Sequence, residues 1–405
     1  MRVRLFAGLD LAILIPTVVL TLLGLLVIFS ATGADTSASS PFVKQISWLL
    51  FGAVVFTIVV ATPPRTFHAF ALVIYAISVF LLIAVLVVPA GGPGASRWLH
   101  LGPVNFQPSE FAKFALVLVL ARIMSDRRFR RESLRGLIIP VAMSGIPLFL
   151  VLIEPDLGTA LVFGVILLAM LFWTGVKGVF LFFLLTPVVS VVAAFHLISW
   201  LIFFAVLLIC IYAFRVQLGD AAYLLIANPA VGIATPIIWK SLKIYQQKRI
   251  LSFLNPNLDP RGAGWHIIQS KIAIGSGGLL GKGILHGTQK KLEFLPQRHT
   301  DFVYSVIGEE LGFLGCIAVL LLFYVMIRRS ISLAKTCNNR FSSLACIGLI
   351  CYIGFQVVVN VGMTLGIMPV AGMPLPFVSY GGSSLLFSLI TIGFILSVSR
   401  HRFEY

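Results

Sequence analysis

The sequence predicts an all-α polytopic integral membrane protein: a helical bundle of ten transmembrane helices, or twelve, with one long extracytoplasmic segment. Three observations carry this. The 405 residues are 59% hydrophobic and only 11% charged. Apolar runs of about 20 residues recur along the whole length, each long enough to cross a hydrocarbon core about 30 Å thick. Between them lie short loops that hold most of the turn residues and charges, with no polar stretch long enough for a soluble domain. Inside lipid each backbone N–H and C=O must bond within its own segment, so these runs are helices. The whole of 1–405 is read as a single transmembrane domain.

The runs in order are 11–29, 45–61, 67–88, 110–123, 137–153, 157–173, 179–197, 302–327, 344–367 and 383–398. No small-residue cleavage pattern follows the first, which is therefore expected to be a retained span. Between 198 and 239 two further apolar pieces flank "FRVQLGD". If both cross, the total is twelve; because they come as a pair, everything downstream keeps its orientation. The segment 240–301 is the long loop.

Lysine and arginine set the orientation. Arg2, Arg4, Arg65, then Arg122, Arg127, Arg128, Arg130, Arg131 and Arg135, and later Arg328, Arg329, Lys335, Arg340, Arg400 and Arg402 all fall on one side if every run crosses. That side is cytoplasmic, with both termini. The other side receives "SATGADTSASSP", "GPGASRWLHLGPVNFQPSE" and the segment that ends at Asp301.

This outer segment is basic: Lys240, Lys243, Lys248, Arg249, Arg261, Lys271, Lys282, Lys290, Lys291 and Arg298 stand against Asp259, Glu293 and Asp301. Long loops are exempt from the orientation rule. The excess suits either anionic lipid headgroups or a phosphate or pyrophosphate whose charge it neutralises. The net charge of +16 does not point to nucleic acid, because no folded reader module or basic and aromatic stripe accompanies it. "IAIGSGGLLGKGILHGTQ" fails as a nucleotide loop: Ser276 occupies the first glycine position, and Gly283 stands where serine or threonine would hold magnesium. Its glycines suit a tight, partly re-entrant backbone instead. The five cysteines give neither a disulfide framework nor a zinc site, and His266, His286 and His299 match no metal spacing. A divalent ion bridging a carboxylate and a pyrophosphate would suit the charges, although no residue pattern specifies one.

Ionisable groups within the runs mark a functional interior. Glu110 and Lys113 stand three apart on one helical face, close enough to pair. They are either a structural pair or substrate contacts. In "IEPDLGT", Glu154 and Asp156 flank a proline between two runs, where Asp156 suits a helix cap. Late in the chain "NVGMTLGIMPVAGMPLPFVSYGGSS" sets three prolines among glycines between two spans, which suits a cavity wall. Asp301, flanked by Arg298 and His299 and followed by an apolar run, is by its residues alone either a helix cap or a reactive carboxylate.

Five motifs in order, "RWLHLGPVNFQPSEFAK", "EPDLGTALV", "GAGWHIIQSKIAIGSGG", "HGTQKKLEFLPQRHTDFVYSVIGEELG" and the late proline-rich stretch, resemble the shape, elongation, division and sporulation (SEDS) family of bacterial cell-wall polymerases. "HGTQ" followed by "LEFLP" resembles its elongation branch. The resemblance covers nearly the whole chain. It implies ten spans in the bacterial cytoplasmic membrane, polymerisation of peptidoglycan glycan strands from lipid II at the outer face, and a class B penicillin-binding protein as crosslinking partner. It assigns the essential aspartate to Asp301, and places the outer-loop tryptophan at Trp98, the helix pair at Glu110 and Lys113, and the junction aspartate at Asp156. Arg298 and His299, beside the aspartate, join the expected substrate contacts. Glu154 stands where members commonly have glutamine, Gln297 where they have glutamate, and 198–239 is an apolar insertion of about 40 residues relative to the ten-span pattern.

The chemistry then expected is attack of a sugar hydroxyl on an anomeric carbon while undecaprenyl pyrophosphate departs, with Asp301 as general base. Two other classes fit the same spans. One is a lipid II flippase using Glu110, Lys113 and the broken late segment as its path; the other is a non-catalytic scaffold for the penicillin-binding protein.

Overall fold

The computed structural model describes residues 9–37, 39–87, 97–101, 104–129, 131–154, 156–241, 247, 263–287 and 300–401. In order the elements are α1 (Leu11–Ala31), α2 (Pro41–Ala61), α3 (Pro64–Val87), β1 (Leu99–Leu101), β2 (Val104–Phe106), α4 (Pro108–Ser125), α5 (Leu134–Ile153), α6 (Leu157–Thr174), α7 (Gly178–Ala193), α8 (Leu197–Ala213), α9 (Leu218–Ser241), α10 (Ala263–Ser276), α11 (Val303–Glu310), α12 (Gly312–Thr336), α13 (Arg340–Thr364) and α14 (Gly382–Arg400).

Nine of the described helices are long and apolar enough to cross a membrane, and α7 and α8 are slightly shorter apolar helices. α4 is the exception in composition, because it carries Glu110, Lys113 and Arg122. Local sequence sets the helix starts. Ser40 and Ser133 cap α2 and α5 through their hydroxyls, Asn339 caps α13, and Asp156 accepts the Thr159 N–H to open α6. Left-handed Gly175 closes α6.

α13 and α14 form the middle of the bundle. α14 lies along α2, while α13 packs on α4, α6 and α12, and α3 flanks α4. Small residues permit the closest approaches: a side chain on Gly24 of α1 would strike the backbone of Phe377 and Val378, and one on Gly158 of α6 would strike the carbonyl of Ala371. The 365–381 segment is thereby gripped between α1 and α6.

Hydrogen bonds and ion pairs sort the helix ends into two sets. At one end Arg329 of α12 pairs with Asp10, Arg122 of α4 donates to the carbonyls of His68 and Ala69, Trp173 of α6 meets Ser343 of α13, and Ser397 of α14 donates to the Thr62 carbonyl. The described arginines of the predicted cytoplasmic loops lie at this end. At the other end Gln45 of α2 meets Ser379 and Gly381, and Ser270 of α10 donates to the Thr364 carbonyl.

Several elements depart from the linear reading. α8 and α9 are separate helices flanking 214–217, as the two apolar pieces suggest. Asp220 at the start of α9 accepts the Leu134 N–H at the start of α5, so the α8–α9 turn lies at the arginine-rich end. The expected run 302–327 is two helices, α11 and α12, broken at Leu311 and Gly312. Gly312 has φ +67°, and a side chain there would meet the backbone of Leu279 and Gly281. Two elements are not expected from the apolar runs: the antiparallel β1–β2 hairpin, with Leu99 opposite Phe106 and Leu101 opposite Val104, and helix α10. Glycines of "GSGGLLGKG" do make a tight backbone, for Lys282 N–H donates to the Glu309 carbonyl and Gly283 N–H to that of Glu310.

Candidate active site

Asp301 lies at the end of the bundle opposite the arginines, in the turn that leads into α11. It is half-buried. Its backbone is fixed from two elements. Asn360 on α13 donates from Nδ2 to the carbonyl oxygens of Asp301 (3.0 Å) and Met373 (2.7 Å), and Ser379 donates to the Thr300 carbonyl at 2.6 Å. Ser379 Oγ also accepts the Leu375 N–H. α13 and the late segment therefore clasp the two peptide units on either side of Asp301. The carboxylate borders that segment too, since a Cβ on Gly372 would come 3.6 Å from Asp301 Oδ2. The cap of α11 is Phe302 and makes no side-chain bond, so Asp301 does not serve as the helix cap. Of the residues expected beside it, Arg298 and His299 lie outside the described residues, as does Gln297.

Glu110 and Lys113 meet each other in the interior. Lys113 Nζ lies 2.6 Å from Glu110 Oε1, and the two side chains are 1% and 3% exposed. Tyr352 of α13 donates to Glu110 Oε2 at 3.3 Å, and Lys113 Nζ stands 4.9 Å from the Tyr352 ring centre. Each charge thus has an opposite charge, and the carboxylate a further donor, as a buried ion pair needs. One and two turns along α13 from Tyr352 stand Gln356 and Asn360, both fully buried. That face of α13 runs from the ion pair to the Asp301 backbone.

Asp156 is buried as the cap of α6, accepting both the N–H and the hydroxyl of Thr159. Arg97 reaches it from the irregular segment leading into β1, with Nη1 3.8 Å from Asp156 Oδ2, and donates from Nε to the Glu154 carbonyl at 3.2 Å. Trp98 follows Arg97 and is 39% exposed. Sequence reasoning named Trp98 and Asp156 but gave no role to Arg97. Burial, together with the charge of Asp156, pushes the Glu154 carboxyl up to about 8, with Arg97 opposing.

The other ionisable groups near this end have structural partners. Glu309 pairs with Lys282 at 2.9 Å, and Glu310 accepts from Ser30 at 2.5 Å, tying α11 to the glycine turns and to α1. His266 packs on Phe302, and burial lowers its pKa. Lys271 of α10 is exposed and lies against Gly366 at the end of α13. Among the described residues no group of three or more His, Cys, Asp or Glu side chains converges as a metal site.

The sequence profile of the cell cycle protein family FTSW_RODA_SPOVE matches residues 11–202 and 198–404. The chain belongs to this family. A relative is the peptidoglycan glycosyltransferase MrdB of Escherichia coli, 40% identical over 394 residues that cover 96% of this chain and 94% of MrdB. Among solved structures, the rod shape determining protein RodA of Thermus thermophilus superposes with a TM-score of 0.65 at 27% identity, covering 98% of this chain and 99% of RodA. A chain from the structure reported as the coordination of polymerization and crosslinking by a peptidoglycan synthase complex superposes at 0.73, with 29% identity and 99% and 100% covered. The polytopic helical fold is the one the family resemblance implies, and the two profile matches meet at the start of α8.

Proposed function

We infer that this chain is a peptidoglycan glycosyltransferase that polymerises lipid II at the outer face of the bacterial cytoplasmic membrane, with Asp301 as general base. The observation that carries this reading is the placement of Asp301. Its carboxylate stands at the end of the bundle away from the arginines, on a backbone clasped by Asn360 and Ser379. With the arginine-rich end cytoplasmic, both termini are cytoplasmic and Asp301 faces outward.

A sugar hydroxyl is a weak nucleophile at neutral pH. In the proposed step its oxygen attacks the anomeric carbon of the lipid-linked sugar and its proton passes to the Asp301 carboxylate. The carbon–oxygen bond to the pyrophosphate breaks, and that electron pair leaves with the undecaprenyl pyrophosphate. A positioned base contributes about 10²- to 10⁴-fold. The leaving group already carries negative charge and is neutralised by cations of the outer segment, Arg298 and the loop lysines among them, while His299 and the half-exposed Trp98 border the substrate. Glu110, Lys113 and Asp156 act as the framework of the site. A transporter would need an open polar path, whereas Glu110 and Lys113 close on each other and on Tyr352. The proposed partner is a class B penicillin-binding protein, in keeping with the synthase complex to which the chain is similar.

Purified protein with lipid II and that partner is expected to make glycan chains, and Asp301→Asn to lower the rate by at least about 100-fold with an unchanged melting profile. Normal polymer from the variant would end the assignment of the base. Lipid translocation without polymer from the unaltered protein would favour the flippase, and neither activity would favour the scaffold.

A further inference from the structure

Glu154 is not used by the reaction as described above, yet it is the one carboxyl of the α5–α6 junction without a structural task. Its residue is 4% exposed. Oε1 is enclosed and has no hydrogen-bond partner among the described residues. Its neighbour Asp156 is spent on Thr159, and Arg97 binds the Glu154 main chain rather than its carboxyl. A buried polar atom left unpaired costs stability, which suggests a partner that arrives with substrate. The location fits: Gly158, in the first turn of α6, abuts Ala371, and the next residue, Gly372, borders Asp301 Oδ2. The 371–372 backbone thus lies between the first turn of α6 and the proposed base.

We propose that Glu154 is a further substrate-binding residue of this site, acting as a hydrogen-bond donor to a phosphate oxygen of the lipid-linked pyrophosphate beside Arg97. A carboxylic acid can donate its O–H, whereas a carboxylate only accepts and repels a phosphate. Arg97, 31% exposed at its side chain, supplies the positive charge, and Glu154 supplies a neutral donor next to it.

The charged groups around Glu154 favour that protonated form. Asp156 on α6 adds negative charge and Arg97 opposes it. On α4, which packs against α5 and α6, Glu110 and Lys113 are paired with each other. α6 has no charged residue, and α3 and α13 carry none in their halves toward this end. Across the 371–372 backbone stands Asp301. With the carboxyl raised to about 8, Glu154 holds its proton at pH 7 and loses it as the pH rises through about 8. Donation, and with it substrate affinity, is lost in that direction.

The proposal rests on the polymerase reading, and the experiment separates the two. Lipid II titrations with the full-length protein and its partner, from pH 6.5 to 9.5, give KM and kcat for the unaltered protein, E154Q and E154A. The unaltered protein is expected to show KM rising above about pH 8. E154A should raise KM by about tenfold at pH 7 with little change in kcat, the effect of losing one hydrogen bond to a charged group. E154Q, which keeps an N–H donor at every pH, should recover most of that loss and flatten the alkaline rise. An alkaline rise that persists in E154Q, or an E154A that binds substrate as the unaltered protein does, overturns the proposal. If E154A does not fold, the pH profile of E154Q decides alone. Binding of undecaprenyl pyrophosphate, followed by tryptophan fluorescence over the same pH range, covers the remaining case. If the protein makes no polymer but loses this lipid above pH 8 in a Glu154-dependent way, the polymerase reading falls and the donor stands. If binding is indifferent to Glu154, the donor falls.

Discussion

Asn360 holds the Asp301 backbone from 59 residues away in sequence. One side-chain amide holds the carbonyl oxygens of Asp301 and Met373, and so joins the start of α11 to the late proline-rich segment from within α13. Asn360→Leu removes both donors while leaving two buried carbonyls. The expected result is a polymerisation rate lowered by about tenfold or more and a stability loss of about 2–4 kcal/mol, from two buried acceptors at about 1–2 kcal/mol each. Thermal melting and rate are to be measured together; an unchanged rate in a destabilised protein would show that the clasp supports the fold and not the base. Individual residues were unevenly legible in the sequence. Asp301, Asp156 and the Glu110–Lys113 pair announce themselves, because a charge beside or inside an apolar run is costly and needs a reason. Asn360, Ser379 and Arg97 do not. Amides and hydroxyls are ordinary in membrane helices, and their partners lie 59 and 79 residues away for Asn360–Asp301 and Ser379–Thr300.

At the scale of elements, α4 holds a buried ion pair against α13, and the price of that pair is set by its dryness. Removing one member leaves the other charge buried and alone, which costs about 3–5 kcal/mol, whereas replacing both with apolar residues of similar size is often neutral. Glu110→Gln and Lys113→Met are each expected to lower the melting temperature sharply, and Glu110→Leu with Lys113→Met to recover most of the loss. A double variant that is stable but inactive would return the pair to the catalytic machinery; one that is stable and active would confirm a structural role. The long apolar helices could be read because their length is dictated by the bilayer. Helix α10, the β1–β2 hairpin and the α11–α12 break could not. They lie where chain meets chain at the outer end, and the break at Gly312 is set by the backbone of Leu279 and Gly281, which adjacent sequence does not reveal.

For the molecule as a whole, the arginines at one end and Asp301 at the other make the reaction one-sided, so the number of crossings before Asp301 must be consistent with both. The α8–α9 pair tests this. Asp220 binds the start of α5, and Gly219 abuts Arg135, so the turn between α8 and α9 shares the end of the bundle with the basic loops. At about 1.5 Å per residue α8 is about 26 Å long, a little short of the hydrocarbon core, a mismatch that local thinning of the bilayer absorbs. On the proposed orientation, a crossing α8–α9 pair adds two spans to the ten that the resemblance implies and returns the chain to the outer side before α10. With the five free native cysteines replaced, a single cysteine at Gln217 is expected to react with an impermeant maleimide only from the cytoplasmic side, and one at His196 only from outside. Labelling of Gln217 from outside would mean that α8 and α9 do not cross. Since they form a pair, Asp301 would stay external, and only the twelve-span count would be lost.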